Sequence, residues 1–311
     1  MRSIKNWVLA TFILTFLVII AGGIVRTTQS GMGCPDWPHC FGKWIPPTNA
    51  SELPPDFEKY LNKQDIDHSF NALHTWIEYI NRLLGVLLGL FAVIQAFLLF
   101  RKRKGLRKSY YFSLWFLFTV ILTGLFGAIV VKLNLAHASI SVHLLFAIVL
   151  IQIQLALLLS INSRLAILIV DGKIKKMLLF FLAILLIQSV LGTMVRMHVD
   201  DVSKNLNYEQ RETWLTGNPV AFVIHRSFSW IVFLLAFSIA WIGRSFPAVK
   251  NKLFVLAAIV LLSMITGIVL FYADMPRAAQ PIHLLLATLA ITQSFSIILQ
   301  LKGSNTRLTD N

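Results

Sequence analysis

Eight apolar stretches, each long enough to cross about 30 Å of hydrocarbon as a helix, leave few folds open to this chain. They lie near residues 5–26, 72–100, 110–131, 137–160, 177–196, 220–242, 253–272 and 280–300. Backbone polar groups in lipid must pair internally, so only helices and closed barrels can span a bilayer. A barrel would show ~10-residue segments of alternating polarity, and none are visible. The expected fold class is therefore all-α: a polytopic membrane protein with eight transmembrane helices. Composition agrees, since 57% of the 311 residues are hydrophobic and only 14% are charged, too little polar surface for a soluble domain. The first run is too long for a signal-peptide core and no small-residue cleavage site follows it, so it reads as a retained span.

The formal net charge of +14 does not point to nucleic acid, because the basic residues sit in short loops between apolar runs. RKRKGLRK (101–108), the loop Asn162 to Lys176, the loop Arg244 to Lys252 and both termini are rich in lysine and arginine. Asp36, Glu52, Asp56 and Glu58 fall in the first intervening loop, and Asp200, Asp201, Glu209 and Glu212 in another. The positive-inside rule then places both termini in the cytoplasm and segments 27–70 and 197–219 outside.

The two halves repeat. GGIVR (22–26) matches LGTMVR (191–196), INRLLGVLLGL (80–90) matches IHRSFSWIVFL (224–234), LTGLFGAIV (122–130) matches ITGIVLFYA (265–273), and SVHLLFA (141–147) matches PIHLLLA (281–287). With four spans per half, both copies enter the membrane from the same side, which predicts a parallel repeat about an axis near the membrane normal. The expected organisation is two tandem four-helix bundles, residues 1–160 and 161–311, each able to host a site between facing helices.

Histidines are the candidate ligands. His39, His68, His137 and His198 fall in outer loops or at their edges and read as solvated surface. His74, His143, His225 and His283 instead sit near the outward ends of the second, fourth, sixth and eighth spans. A single intramembrane histidine can simply hydrogen-bond across a helix pair. His225 and His283, however, lie at similar depth on two spans of one bundle, and His143 repeats His283. Paired imidazoles from facing helices are the usual way to hold a six-coordinate haem iron. Zinc competes, but a third nitrogen or carboxylate ligand is not evident near the pair. Haem propionates need cations; Arg26, Arg82, Arg196 and Arg226 all lie in the outer half. Arg26 and Arg196 could equally snorkel to the interface.

The second span carries HTWIEYINRLL (74–84). His74, Glu78, Asn81, Arg82 and Gly85 fall on one helical face within an arc of about 100°. Ionisable groups at this depth usually mark function, and a carboxylate suggests proton transfer; a structural Glu78–Arg82 pair at i,i+4 is the alternative. In the other half Phe222 stands where Glu78 does, so the repeat predicts two unlike sites. His225–Arg226 aligns with Asn81–Arg82, leaving the amino-terminal site one imidazole short. Either His143 alone ligates iron there or His74, roughly 10 Å further along the helix, takes the missing place. In GCPDWPHC (33–40) two prolines stiffen a short outer loop between Cys34 and Cys40. The oxidising side of a membrane favours a disulfide there, and its role, staple or redox partner, is open.

The eight spans together with GMGCPDWPHCFGKWIPP (31–47), IEYINRLLG (77–85), QSVLGTMVRMH (188–198), HRSFSW (225–230) and HLLLA (283–287) resemble the haem A synthase family over nearly the whole chain. The resemblance implies a membrane oxidoreductase that converts haem O to haem A by successive hydroxylations of the C8 methyl, for cytochrome oxidase. It implies His225 and His283 as ligands of a resident haem b, and His143 as a histidine of the substrate-haem site, where Arg82 and His74 also lie. Glu78 matches the proposed catalytic acid, and Cys34 and Cys40 the outer-loop cysteine pair. Arg26, Arg196 and Arg226 are the expected propionate contacts. The family's other amino-terminal histidine falls at Asn81, its best-known members space the cysteines one residue further apart, and a second cysteine pair found in some members is absent. Implied partners are a haem O-producing farnesyltransferase, cytochrome oxidase assembly factors and the lipid bilayer, with homo-oligomerisation open and no nucleic acid. The implied location is a bacterial plasma membrane with the cysteine loop facing outward. The rival readings are a dihaem cytochrome for quinol-linked electron transfer, and a haem transporter or chaperone.

Overall fold

The computed structural model describes residues 1–61, 70–161, 168–170 and 172–303. His68, part of the basic loop 162–176 and the tail 304–311 lie outside the described residues. The helices are α1 (Arg2–Thr27), the short α2 (Glu58–Leu61), α3 (Ala72–Phe100), α4 (Arg107–Lys132), α5 (His137–Ile161), α6 (Gly172–Asn205), α7 (Val220–Gly243), α8 (Pro247–Tyr272) and α9 (Ala279–Gln300). All but α2 are long and apolar enough to cross a membrane, so the chain is an all-α, multi-pass membrane protein. Local chemistry sets several boundaries. The Asn71 side chain accepts from the His74 N–H at 3.2 Å and caps α3,. Pro247 opens α8, where its missing N–H costs nothing.

The fifth apolar run was expected to end near 196, yet α6 continues as a helix to Asn205. Arg196 and Asp200 form an i,i+4 ion pair at 2.8 Å, and Val199 is buried against Trp214 and Leu215. Hydropathy marks where a helix leaves lipid; hydrogen bonding and packing decide where it stops. Two three-residue strands, β1 (Leu168–Val170) and β2 (Leu301–Gly303), pair in parallel and join the chain entering α6 to the end of α9.

The chain divides into two compact units, Met1–Asn162 and Ser163–Asn311. In unit 1 the packed neighbours are α1 with α3, α3 with α4, α4 with α5, and α5 with α1, a closed ring of four helices. Unit 2 closes in the same order: α6 on α7, α7 on α8, α8 on α9, α9 on α6. Leu9, Ile13, Leu17, Val86, Leu90 and Val93 are exposed on unit 1, as helices facing lipid require. Its interior is a layer of Leu14, Leu88, Ala92, Phe116, Val120 and Leu150, with a second layer of Ile4, Val8, Leu99, Leu157 and Ile161 towards the opposite end from the disulfide loop. Buried hydroxyls on Thr11, Thr15, Thr119 and Thr292 donate to the carbonyl four residues back, which satisfies them without a partner helix.

A buried amide pair joins three helices of unit 1. The amides of Gln95 and Gln154 exchange hydrogen bonds at 3.0 and 2.8 Å, and Gln154 also donates to the Val8 carbonyl at 3.0 Å. Three helices, α1, α3 and α5, are thereby tied inside unit 1. Gln95→Leu is expected to lower the unfolding free energy in mixed micelles by about 1–2 kcal/mol. An unchanged unfolding midpoint would show that the amide pair adds nothing to the packing around it.

Candidate functional site

In unit 2, His225 on α7 and His283 on α9 face each other with ring centroids 6.3 Å apart and planes 76° to one another. If one metal ion lay between them, two metal–nitrogen bonds of about 2 Å, plus the roughly 1 Å from each ring nitrogen to its centroid, would put the imidazole centres about 6 Å apart. The observed spacing fits. His283 Nδ1 lies 2.9 Å from the Ser263 carbonyl and 3.0 Å from Thr266 Oγ1, both on α8. A carbonyl only accepts, so Nδ1 carries the proton and Nε2 keeps the lone pair a metal needs. His225 Nδ1 is buried without a hydrogen-bond partner among the described residues. Glycines on the neighbouring helices make room for both rings. A Cβ on Gly192 of α6 would stand 3.2 Å from His225 Cε1, and one on Gly267 of α8 would stand 3.3 Å from His283 Cε1. Among the described residues no group of three or more His, Cys, Asp or Glu could hold a metal. That argues against zinc and suits an iron whose other four ligands belong to a macrocycle.

Unit 1 carries half of this arrangement. His143 on α5 packs beside Gly127 on α4, whose Cβ would lie 3.4 Å from His143 Cε1, and stacks near Phe126 at 6.5 Å. His143 Nδ1 is likewise buried with no hydrogen-bond partner among the described residues. The histidine separations Gly127–His143 and Gly267–His283 are equal along the chain. The α3 position that would supply a second imidazole is Asn81, whose amide has no hydrogen bond among the described residues. His74 stays in the first turn of α3, above Thr75 and Glu78.

Glu78 is 4% exposed and is roofed by the first loop, in which Cys34 and Cys40 form a disulfide. Arg82 Nη2 meets Glu78 Oε1 at 2.6 Å and Arg82 Nε meets the same oxygen at 3.1 Å. The Cys34 N–H reaches Glu78 Oε2 at 3.5 Å. The disulfide is buried with Phe41, against Tyr60, Phe70 and Tyr79. Gly33 lies so close to the α3 backbone that a Cβ there would meet the Thr75 nitrogen at 2.8 Å. Only glycine permits that approach. The Asp36 carboxylate accepts from the Phe41 and Gly42 N–H groups at 2.7 and 2.9 Å and closes the turn beyond the prolines.

The remaining arginines differ in engagement. Arg196 pairs with Asp200 and donates to Gln280 Oε1. Arg26 stands in the last turn of α1. Arg226 is exposed, and its guanidinium lies 5.4 Å from the Phe222 ring centre. At the same end of unit 2, Arg211 stacks over Trp214 and donates to the Met275 carbonyl at 3.0 Å. Burial and the neighbouring Arg277 pull the Arg211 guanidinium below its ordinary pKa. Gly127, Gly192 and Gly267 were not among the expected site residues, and a glycine one helix away from each histidine was the available signal; Gly33 and Asp36 lay in the cysteine motif with no role assigned.

These features define a class: a multi-pass all-α membrane protein with a facing pair of imidazoles in one unit and a buried acid–arginine pair under a disulfide loop in the other. The family model COX15-CtaA, described as cytochrome oxidase assembly protein, matches residues 5–295, and the chain belongs to that family. A protein named heme A synthase from Pelagibacter ubique is 25% identical over 98% of this chain and 97% of its own length. Namesakes from Shewanella oneidensis and Orientia tsutsugamushi (strain Boryong) are 30% and 32% identical over 51% and 50% of this chain. The matched part spans 46% of the length of each of those two.

Proposed function

We propose that the chain is a haem A synthase, oxidising the C8 methyl of haem O to a formyl group for cytochrome oxidase biogenesis. The observation that carries this reading is the inequality of the units. Unit 2 has an imidazole pair with Phe222 in the place of an acid, whereas unit 1 has one imidazole and the buried Glu78. An electron wire has no need of a single acid-bearing site. The family and the names of the relatives support the same activity.

On this reading His225 and His283 hold a resident haem b, and Arg226 receives a propionate, since its guanidinium has no hydrogen-bond or ion-pair partner among the described residues,. Haem b bound there supplies one-electron transfer. Haem O, the substrate, enters unit 1, where His143 offers a single ligand nitrogen and Asn81 an amide. His74 is the second-ligand candidate if the iron there is held by two imidazoles. Each hydroxylation of the methyl carbon is a two-electron oxidation that needs an oxidant and an oxygen-atom source from outside the chain; two of them give a geminal diol, which loses water to leave the formyl group. Glu78 accepts and returns the protons these steps move. Arg26 serves the propionate side from the last turn of α1; Arg196, held by Asp200 and Gln280, would have to leave them to join it. The common ring order of the units supports a parallel repeat, and the basic loops support cytoplasmic termini with the cysteine loop facing outward,. The bacterial relatives favour a bacterial plasma membrane. A farnesyltransferase supplying haem O and cytochrome oxidase assembly factors are the partners this activity requires.

Expression with a haem O source, followed by extraction and chromatography of the haems, is expected to yield haem A and its hydroxylated precursor. Recovery of unchanged haem O alone would point instead to an electron-transfer cytochrome or a haem carrier. Glu78→Gln is expected to reduce conversion by about 100-fold or more while the unit 2 haem spectrum persists. Full conversion by that variant would remove Glu78 from the chemistry.

A further inference from the structure

We propose that Arg82 is the positioning residue of the unit 1 site: the cation around which the Cys34–Cys40 loop folds, and which seats Glu78 beneath it. A guanidinium has five N–H donors in a fixed fork, and here all are engaged. Nη1 donates to the carbonyls of Asp36 and His39 at 2.6 and 3.0 Å. Nη2 donates to the Cys34 carbonyl and to Glu78 Oε1, both at 2.6 Å. Nε completes the set on Glu78 Oε1 at 3.1 Å. Three carbonyls of one short disulfide-closed ring therefore converge on one side chain of α3. This assigns Arg82 to the loop, because drawing it to a propionate would leave buried carbonyls unpaired.

The repeat supplies an internal control. Arg226 stands at the matching place on α7, and there it lies over the Phe222 ring, exposed, with no side-chain hydrogen bond among the described residues. The clamp is thus tied to the presence of the acid and the loop together, not to the arginine position alone. Its consequence is mechanical. Cys34 and Cys40 are 0% and 1% exposed, so an aqueous reductant reaches their bond only when the loop lifts off α3. The rate of reduction then reports how firmly Arg82 holds the loop, and the reactivity of Glu78 reports how well the acid is seated.

Lysine and glutamine separate these two duties. Lysine keeps a positive charge beside Glu78 but cannot fork to three carbonyls; glutamine loses both. We expect a membrane-impermeant phosphine, scored by maleimide gel shift, to reduce Cys34–Cys40 at least ten times faster in Arg82→Lys and Arg82→Gln than in the wild type. Dicyclohexylcarbodiimide, which modifies protonated carboxyls in apolar surroundings, should label Glu78 in Arg82→Gln and spare it in Arg82→Lys. Glu78→Gln leaves the carbonyl contacts in place, so its reduction rate should stay within about threefold of the wild type. The spectrum of the unit 2 haem confirms that each variant is folded before it is scored. Wild-type reduction rates in both arginine variants would overturn the proposal. So would a Glu78→Gln rate matching theirs, since the acid would then be what holds the loop. The inference rests on the reading of Glu78 as the acid of unit 1 only for its bearing on turnover. Failure of haem O conversion leaves the reduction and labelling results untouched, so the two readings fail separately.

Discussion

Asn81→His is expected to turn the amino-terminal site of the haem O-loaded protein into a low-spin, two-histidine site, the histidine pattern that the family resemblance implies, with haem O oxidation retained. The basis is the repeat. In unit 2 the α7 imidazole sits beside Gly192 of α6, 3.2 Å from where a Cβ would be. In unit 1 the matching α1 glycine, Gly22, has nothing among the described residues within 4 Å of its Cβ position. Among the described residues, no α3 side chain packs on Gly22 as His225 packs on Gly192. A histidine introduced there meets room rather than a wall, and can supply the second axial nitrogen that His143 lacks. Optical and electron paramagnetic resonance spectra of the haem O-loaded protein read the spin state directly, and extraction reads the conversion. The result that would sink this idea is a wild-type protein already low-spin and two-histidine in unit 1. His74 would then be the second ligand, and the double variant Asn81→His, His74→Ala would keep the low-spin spectrum.

Much of this architecture could be read before any coordinates. A bilayer forces long apolar helices, so spans 72–100, 137–160 and 280–300 fall within a residue of α3, α5 and α9. Where charge follows an apolar run the reading stopped early. The Asp200–Asp201 stretch remains helical because Arg196 neutralises part of it within one turn, an effect that hydropathy does not register. The closeness of His225 and His283 was legible because they sit at similar depth, near the outward ends of two spans of one bundle. The glycines that admit those rings were less so. The motif match LTG with ITG sets Gly124 against Gly267, but the packing gives that role to Gly127, beside His143. Small residues in apolar helices match one another easily, and only contact shows which of them faces a ring.

The loop around Arg82 was the least legible part. The stripe of Glu78, Asn81 and Arg82 on one helical face announces polar neighbours, and a propionate was one candidate. Backbone carbonyls are invisible in sequence, so a guanidinium held by the carbonyls of Cys34, Asp36 and His39 has no composition signal. Two hints existed. Asp36 stands before a Phe–Gly pair whose N–H groups it accepts, which predicts a tight turn. Gly33 precedes the first cysteine, where a close backbone approach is required.

His283→Ala is expected to strip unit 2 of its haem, lowering the haem b content of purified protein by at least tenfold. Two properties make His283 the stronger of the paired ligands. Its Nδ1–H is fixed on the Ser263 carbonyl and Thr266 hydroxyl, so the ring arrives at the iron already oriented, in the required tautomer. His225 has no such partner for its Nδ1 among the described residues and owes its placement to packing against Gly192. Removing an oriented ligand forfeits both the bond and the preorganisation, whereas removing only the orienting hydroxyl forfeits part of the second. Thr266→Val should therefore weaken haem retention by about 10-fold, at the low end of what outer-sphere partners contribute, because the Ser263 carbonyl remains. The order of loss, His283→Ala greater than His225→Ala greater than Thr266→Val, is measurable as haem per protein after detergent dialysis. If His225→Ala lost more haem than His283→Ala, orientation through Ser263 and Thr266 would not be what sets the affinity of the pair.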